Sequence, residues 1–218
     1  MSNSLETKHK IEALEKNHQK KIEEYYRVHS SIYDMSRWFF LFGRRKLVEL
    51  ISINEAPKTI FEIGCGTGYS LPKFAKKFPD SSVYGIDGSS RMLKKAGRKV
   101  SQYSKLKLLH EIYGSPSDLR PGKTDLIIFS YVMSMMNPHF EEMILQAFKD
   151  LNKGGIIAVV DFQESKYNWY HRMMAKNHVR LNDHLLPVLR KHFRTKIELS
   201  KSAYLGIWRY FIFIGEKV

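Results

Sequence analysis

The chain has 218 residues, 43% of them hydrophobic and 27% charged, so it can bury a core of ordinary size and is not disordered by composition. A net charge of +14 favours an anionic partner: nucleic acid, a membrane surface or an acidic small molecule. The single cysteine, Cys65, excludes a disulfide framework and a Cys-rich zinc site, and fits a reducing compartment. The first ten residues lack the apolar core of a secretory signal. The longest apolar stretch, 126–136, is about half of the ~20 residues a spanning helix needs. A cytoplasmic protein is expected.

In chain order, residues 5–26 are rich in Lys, Glu and Gln without Gly or Pro, and predict an exposed helix with a thin apolar stripe at Ile11, Leu14, Ile22 and Tyr25. Such a helix docks by one edge, lies on a membrane or mediates self-association. The denser segment 31–51, with Trp38, Phe39, Phe40, Leu41 and Phe42, demands burial or an apolar ligand. Residues 1–57 carry a net charge of only +2, which leaves +12 for the rest. We therefore read 1–57 as a helical cap and 58–218 as the main domain.

From residue 58 strands and helices alternate. Strands are predicted at 59–63, 82–86, 106–112, 125–130 and 156–160, with helices at 71–78, 92–100 and 140–151 between them. A helical stretch at 169–193 contains Pro187, and two final strands at 195–199 and 207–214 have no helix between them. The pattern predicts an α/β fold: a parallel sheet covered by helices on both faces, its last strand reversed.

The most informative stretch is Phe61-Glu62-Ile63-Gly64-Cys65-Gly66-Thr67-Gly68. A strand feeding a Gly-x-Gly-x-Gly loop that opens a helix lets a ligand lie against bare backbone. Asp87 ends the next strand 23 residues after Gly64, where a carboxylate can accept both hydroxyls of a ribose. The third glycine comes one residue too early for a dinucleotide loop, and no Gly-Lys-Ser/Thr follows to make a P-loop. Glu62 suits a cationic ligand better than a pyrophosphate. Cys65 has no neighbouring histidine or other base and reads as a packing residue.

This loop resembles the first motif of the class I S-adenosylmethionine-dependent methyltransferases, and the element order from residue 59 onward is similar to theirs. The resemblance implies a Rossmann-like seven-stranded sheet of order 3-2-1-4-5-7-6 with strand 7 antiparallel. It implies S-adenosylmethionine as cofactor, S-adenosylhomocysteine as product and no metal. Glu62, Gly64, Gly66 and Gly68 would then lie beside the methionyl part, Asp87 at the ribose, and Gly88, Ser89 and Met92 along the adenosine. Ser115 and Ser130 complete the expected cofactor set. Many relatives have Gly-Asp-Ala where this sequence has Gly114-Ser115-Pro116, and proline offers the adenine no N–H.

Strand 4 is followed by Ser130-Tyr131-Val132-Met133-Ser134-Met135-Met136-Asn137-Pro138, which lacks the Asp/Asn/Ser-Pro-Pro-aromatic motif usual in base-modifying enzymes. No nucleic-acid partner is expected. Three stretches resemble the betaine-lipid N-methyltransferases, which act on diacylglyceryl-homoserine, and the related phosphatidylethanolamine N-methyltransferases. They begin at Tyr25, at Ser130 and at Asn177, the last ending at Tyr210. The resemblance implies an amine-bearing lipid substrate and peripheral contact with an anionic membrane. Tyr26, Tyr131 and His178 are the catalytic candidates. His29, Tyr33, Arg37, Arg44, Ser134, Arg180 and Arg209 are candidates for holding substrate, the arginines because a homoserine carboxylate wants a fork-shaped donor. Asp161 is a further candidate. Phosphatidylethanolamine and soluble small amines remain alternative acceptors.

Overall fold

The computed structural model describes residues 41–51, 56–114, 123–137, 139–176 and 179–218. All of these fall within one compact unit, Phe39–Val218. The expected helix at 5–26 lies outside the described residues, as do Tyr26, His29, Tyr33, Arg37, Ser115 and His178.

Helix α1 (Arg44–Leu50) comes first, followed by β1 (Thr59–Ile63), α2 (Leu71–Lys77), β2 (Ser82–Asp87) and α3 (Ser90–Val100). Strands β3 (Leu106–His110) and β4 (Thr124–Ser130) lead to α4 (Phe140–Asp150) and β5 (Leu151–Glu164). Helices α5 (Asn168–Ala175) and α6 (Leu185–His192) precede β6 (Arg194–Ala203) and β7 (Trp208–Glu216). The seven strands form one sheet of order β3-β2-β1-β4-β5-β7-β6, as the resemblance implied. Strands β1 to β5 pair in parallel, and β7 runs antiparallel to both β5 and β6.

Side-chain alternation explains why the sheet needs cover on both faces. Along β4, Leu126 and Ile128 enter one apolar cluster while Ile127 and Phe129 enter the other. Strand β5 divides likewise, with Ala158 and Val160 on one face and Ile157 and Val159 on the opposite one. The first cluster takes Leu47 and Val48 of α1, Phe74 of α2, Leu93 of α3 and Tyr170 of α5; the second takes Ile144 of α4 and Leu189 of α6. Central strands buried on both faces read as continuous apolar runs, which is why DLIIFS and IIAVV were visible in the sequence.

Three expectations are corrected. The single helix expected over 169–193 is two, α5 and α6, separated by an irregular passage in which Asp183 takes φ 49°. Pro187 does not break α6, because it stands in the first turn, where its missing N–H costs no helical bond. Strand β5 begins at Leu151, ahead of its expected start, and Gly154 at φ 75° bends it where Lys217 exchanges backbone hydrogen bonds with Gly154 and Gly155. Strand β3 ends at His110, short of residue 112.

Helix α1 is anchored at both ends. Gly43 precedes it at φ 78°, and a Cβ there would come within 2.5 Å of the Tyr210 ring. At the other end Lys77 Nζ donates to the carbonyls of Val48 (2.6 Å) and Glu49 (3.2 Å), carbonyls that have no partner within the helix. These contacts bring the start of α1 to the carboxyl edge of the sheet.

Candidate active site

Sequence puts every parallel strand's carboxyl end on one edge, and the site is built there. The loop after β1 holds Gly64, Gly66 and Gly68 at φ 62°, 54° and 69°, the left-handed region that side chains resist. Two of the glycines are also demanded by packing. A Cβ on Gly64 would meet Val132 Cγ2 at 2.5 Å, and one on Gly68 would meet Ala96 of α3 at 3.0 Å. A Cβ on Gly66 would meet nothing within 4 Å, so that residue faces open space.

Asp87, at the end of β2, ties the loop down. Its Oδ2 accepts from Gly66 N–H at 2.8 Å and its Oδ1 accepts from Ser89 N–H at 2.9 Å. Ser89 is also the N-cap of α3, its Oγ accepting from Met92 N–H at 3.4 Å. Met92 is buried in the first turn, and Gly88 carbonyl lies 3.1 Å from His110 Nε2. Among the predicted cofactor residues, Gly66, Asp87, Ser89 and Met92 are thus linked in one chain of hydrogen bonds, while Ser115 lies outside the described residues.

Glu62 is 3% exposed, beneath the loop. Burial pushes its carboxyl up to about 8, against a hydrogen bond from Ser70 and the pull of Arg44 and Lys73, with Asp87 adding to the rise. Its Oε2 has no hydrogen-bond partner among the described residues, and neither has the buried Ser130 Oγ at the end of β4. Cys65 is a packing residue: it is buried, its thiol pushed up by burial and by Glu62 and Asp87, and its Sγ lies 3.0 Å from where a Cβ on Gly85 would stand.

Among the described residues, Arg44 is the predicted substrate arginine that the fold brings to this loop. Its guanidinium lies 4.0 Å from the centre of the Tyr69 ring, and Lys73 Nζ sits 3.5 Å from the same centre. Lys99 Nζ donates to Thr67 carbonyl at 2.9 Å, its pKa lowered by burial and by the positive charges of Arg44, Lys73 and Lys95. Sequence reasoning missed Tyr69, Lys73 and Lys99. The available signal was the aromatic residue immediately after Gly68, with lysines on the two helices flanking the loop.

Other described substrate and catalytic candidates make contacts within the fold. Tyr131, expected to act on substrate, is 1% exposed at φ 58° and donates its phenolic hydrogen to Phe42 carbonyl at 2.8 Å. It fastens the lead-in of α1 to the end of β4. Ser134 is fully buried, its N–H donating to Asp161 Oδ2 at 3.1 Å and its carbonyl accepting from Asn137 Nδ2 and Arg180 N–H. Asp161 also accepts from Phe162 N–H at 2.8 Å; burial raises it to about 6, with donors on Ser134, Phe162 and Met133 pulling it back. Arg209 is held by Glu164 at 3.6 Å and Ser200 Oγ at 2.9 Å. It stands on β7, three strands from β1, hence about 14 Å across the sheet at about 4.8 Å per strand. Arg180 is exposed, and its side chain meets the Asn182 amide oxygen when that amide is oriented to serve both Arg180 and His184.

With the site described, comparison with known proteins decides its class. Residues 61–157 match the family model described as "Methyltransferase domain". This stretch is similar to a methyltransferase domain. Together with the sheet order, it gives the chain the class I S-adenosylmethionine-dependent methyltransferase fold. The chain is 27% identical over 138 residues to a carboxy-S-adenosyl-L-methionine synthase of Trichodesmium erythraeum, covering 58% of this chain and 54% of that protein. It is 28% identical over 130 residues to a trans-aconitate 2-methyltransferase of Variovorax paradoxus, covering 60% and 48%. The chain therefore spans about half the length of the curated relatives it matches. Among solved structures, the N-methyltransferase NodS of Bradyrhizobium japonicum superposes with a TM-score of 0.66 at 15% identity, over 80% of this chain and 85% of that one. A 1,6-didemethyltoxoflavin-N1-methyltransferase of Burkholderia thailandensis gives 0.71 at 11% identity, over 92% and 90%.

The site fits S-adenosylmethionine on two observations. Gly66 presents open space beside the loop. Glu62 presents a buried acceptor oxygen without a partner among the described residues, the arrangement an ammonium group relieves. Among the described residues no group of three or more His, Cys, Asp or Glu is placed to hold a metal ion.

Proposed function

We propose that the chain is an S-adenosylmethionine-dependent N-methyltransferase acting on the amine of a lipid headgroup, with diacylglyceryl-homoserine as the leading acceptor. The bound cofactor supplies a methyl group on a positively charged sulfur. Glu62, the three loop glycines and Asp87 hold and orient it, while Ser89 and Met92 lie along the start of α3. An amine can shed its proton before it binds, so the chain's task is alignment and exclusion of water rather than strong general-base chemistry.

The observation that carries the reading is the glycine loop locked by Asp87, with Arg44 beside it. Arg44 is within electrostatic range of both Glu62 and Tyr131, and a guanidinium there suits an acceptor bearing a carboxylate as well as an amine. The aromatic run that includes Phe42, itself stacked on Tyr210, supports an amphiphilic acceptor over a small polar one. We read the partner membrane as anionic. Phosphatidylethanolamine and soluble amines are the alternative acceptors.

A second reading is methylation of a carboxylate oxygen on a small organic acid. The trans-aconitate 2-methyltransferases among the relatives favour it, as does the cation group of Arg44, Lys73 and Lys99. The deciding experiment is mass spectrometry of total lipids from a host fed labelled methionine, with and without diacylglyceryl-homoserine. Labelled trimethylhomoserine lipid only in the producing strain supports the leading acceptor. Labelled phosphatidylethanolamine derivatives in both strains shift it to ethanolamine. No labelled lipid, with labelled methyl ester formed on trans-aconitate by the purified protein, overturns the lipid reading.

A further inference from the structure

The β6–β7 hairpin closes in an unusual way. Tyr204 and Leu205 take φ 46° and 55°, with Gly206 following at 93°, so two ordinary residues occupy the left-handed region in succession. The turn thrusts Leu205 entirely into solvent, at 109% of its reference exposure. Asparagine or glycine would meet this backbone with less strain. A leucine there is explained by contact with something apolar.

A second exposed apolar group lies alongside. Tyr167 and Trp169 are 46% and 54% exposed at the start of α5. Ser165 Oγ donates to Ile207 carbonyl at 2.6 Å, and Tyr170 stacks on Trp208 at 5.1 Å, which ties this passage to the hairpin. Because β7 runs antiparallel to β5, the turn projects from the same sheet edge as the glycine loop. Around these side chains, residues 164–176 and 200–210 carry Lys166, Arg172, Lys176, Lys201 and Arg209 against Glu164 as their sole acid. Aromatic and aliphatic tips ringed by cations match the interfacial layer of an anionic bilayer.

We propose that Leu205, Trp169 and Tyr167 form a membrane-docking surface, which inserts into an anionic bilayer and sets the active-site edge against it. The surface deepens the lipid reading above, but its test does not depend on that substrate. The full chain is mixed with vesicles of phosphatidylcholine alone or with phosphatidylglycerol, neither of which offers a methylatable amine. Co-sedimentation is expected with the anionic vesicles, falling at least ten-fold in Leu205→Glu, while the circular-dichroism melt of this variant stays unchanged. In a Trp38→Phe background, where Trp208 is buried, brominated lipids are expected to quench Trp169 fluorescence. Absence of vesicle binding, or equal binding by Leu205→Glu, overturns the proposal. So does a dimer in solution that Leu205→Glu dissociates, which gives the patch to a second copy. If vesicles bind but the host fed labelled methionine yields no labelled lipid, the docking surface stands and the headgroup reading fails.

Discussion

At the scale of single residues, the glycine loop separates backbone demands from ligand demands. Gly66→Ala meets no neighbour but keeps a left-handed φ, so it is expected to cost about 1 kcal/mol of stability, read by urea unfolding. Gly68→Ala adds a tight contact with Ala96 to the same penalty and is expected to destabilise more. Asp87→Ala removes the acceptor of two backbone N–H groups as well as the expected ribose contact. A loss of roughly 2–3 kcal/mol in S-adenosylmethionine binding is expected by calorimetry, the scale of charge-assisted hydrogen bonds. Glu62 gives a pH signature. The folded carboxyl keeps its proton up to about pH 8, while the unfolded one releases it near 4.5. The folded state therefore binds more protons in this window, and stability falls as pH rises, by up to about 1.4 kcal/mol per pH unit. Glu62→Gln is expected to flatten that slope in thermal melts recorded from pH 5 to 8. Tyr131→Phe is expected to cost about 1 kcal/mol through the lost bond to Phe42, with S-adenosylmethionine affinity retained.

At the scale of elements, what was legible followed from local chemistry. The strands showed as β-branched runs because both faces of the central sheet are buried, and the glycine loop showed because its φ angles exclude side chains. The sequence could not reveal that Tyr131 spends its hydroxyl on a carbonyl 89 residues away, since a phenol after β4 looks the same whether it faces ligand or framework. It could not tell that Arg209 is engaged by Glu164 and Ser200 while Arg44 stands at the loop, because the choice among arginines is made by strand order. The helix expected over 169–193 failed for a different reason. Its two halves are each amphipathic, and the intervening chain pairs through Glu164 and Asn182 instead of continuing the helix. Glycines placed at Tyr204 and Leu205 together are expected to relieve the turn and raise the melting temperature, measured by calorimetry.

At the scale of the whole molecule, charge and architecture act together. The domain from residue 58 carries +12, and among the described residues no helix is long and apolar enough to cross a membrane. The docking surface proposed above accordingly uses exposed cations and apolar tips, not a spanning segment. The placement of β7 has a separate consequence for biosynthesis. The final strand in sequence lies inside the sheet, between β5 and β6. Strand β5 gains its second neighbour only after β7 has been synthesised, so until then Ile156–Phe162, a run buried on both faces, waits with one edge bare. A deletion of Trp208–Glu216 would leave that edge permanently open and strip β6 of its partner in the sheet. Such products should accumulate as aggregates rather than as weakened enzyme, which makes the last strand the quality-control point of this fold.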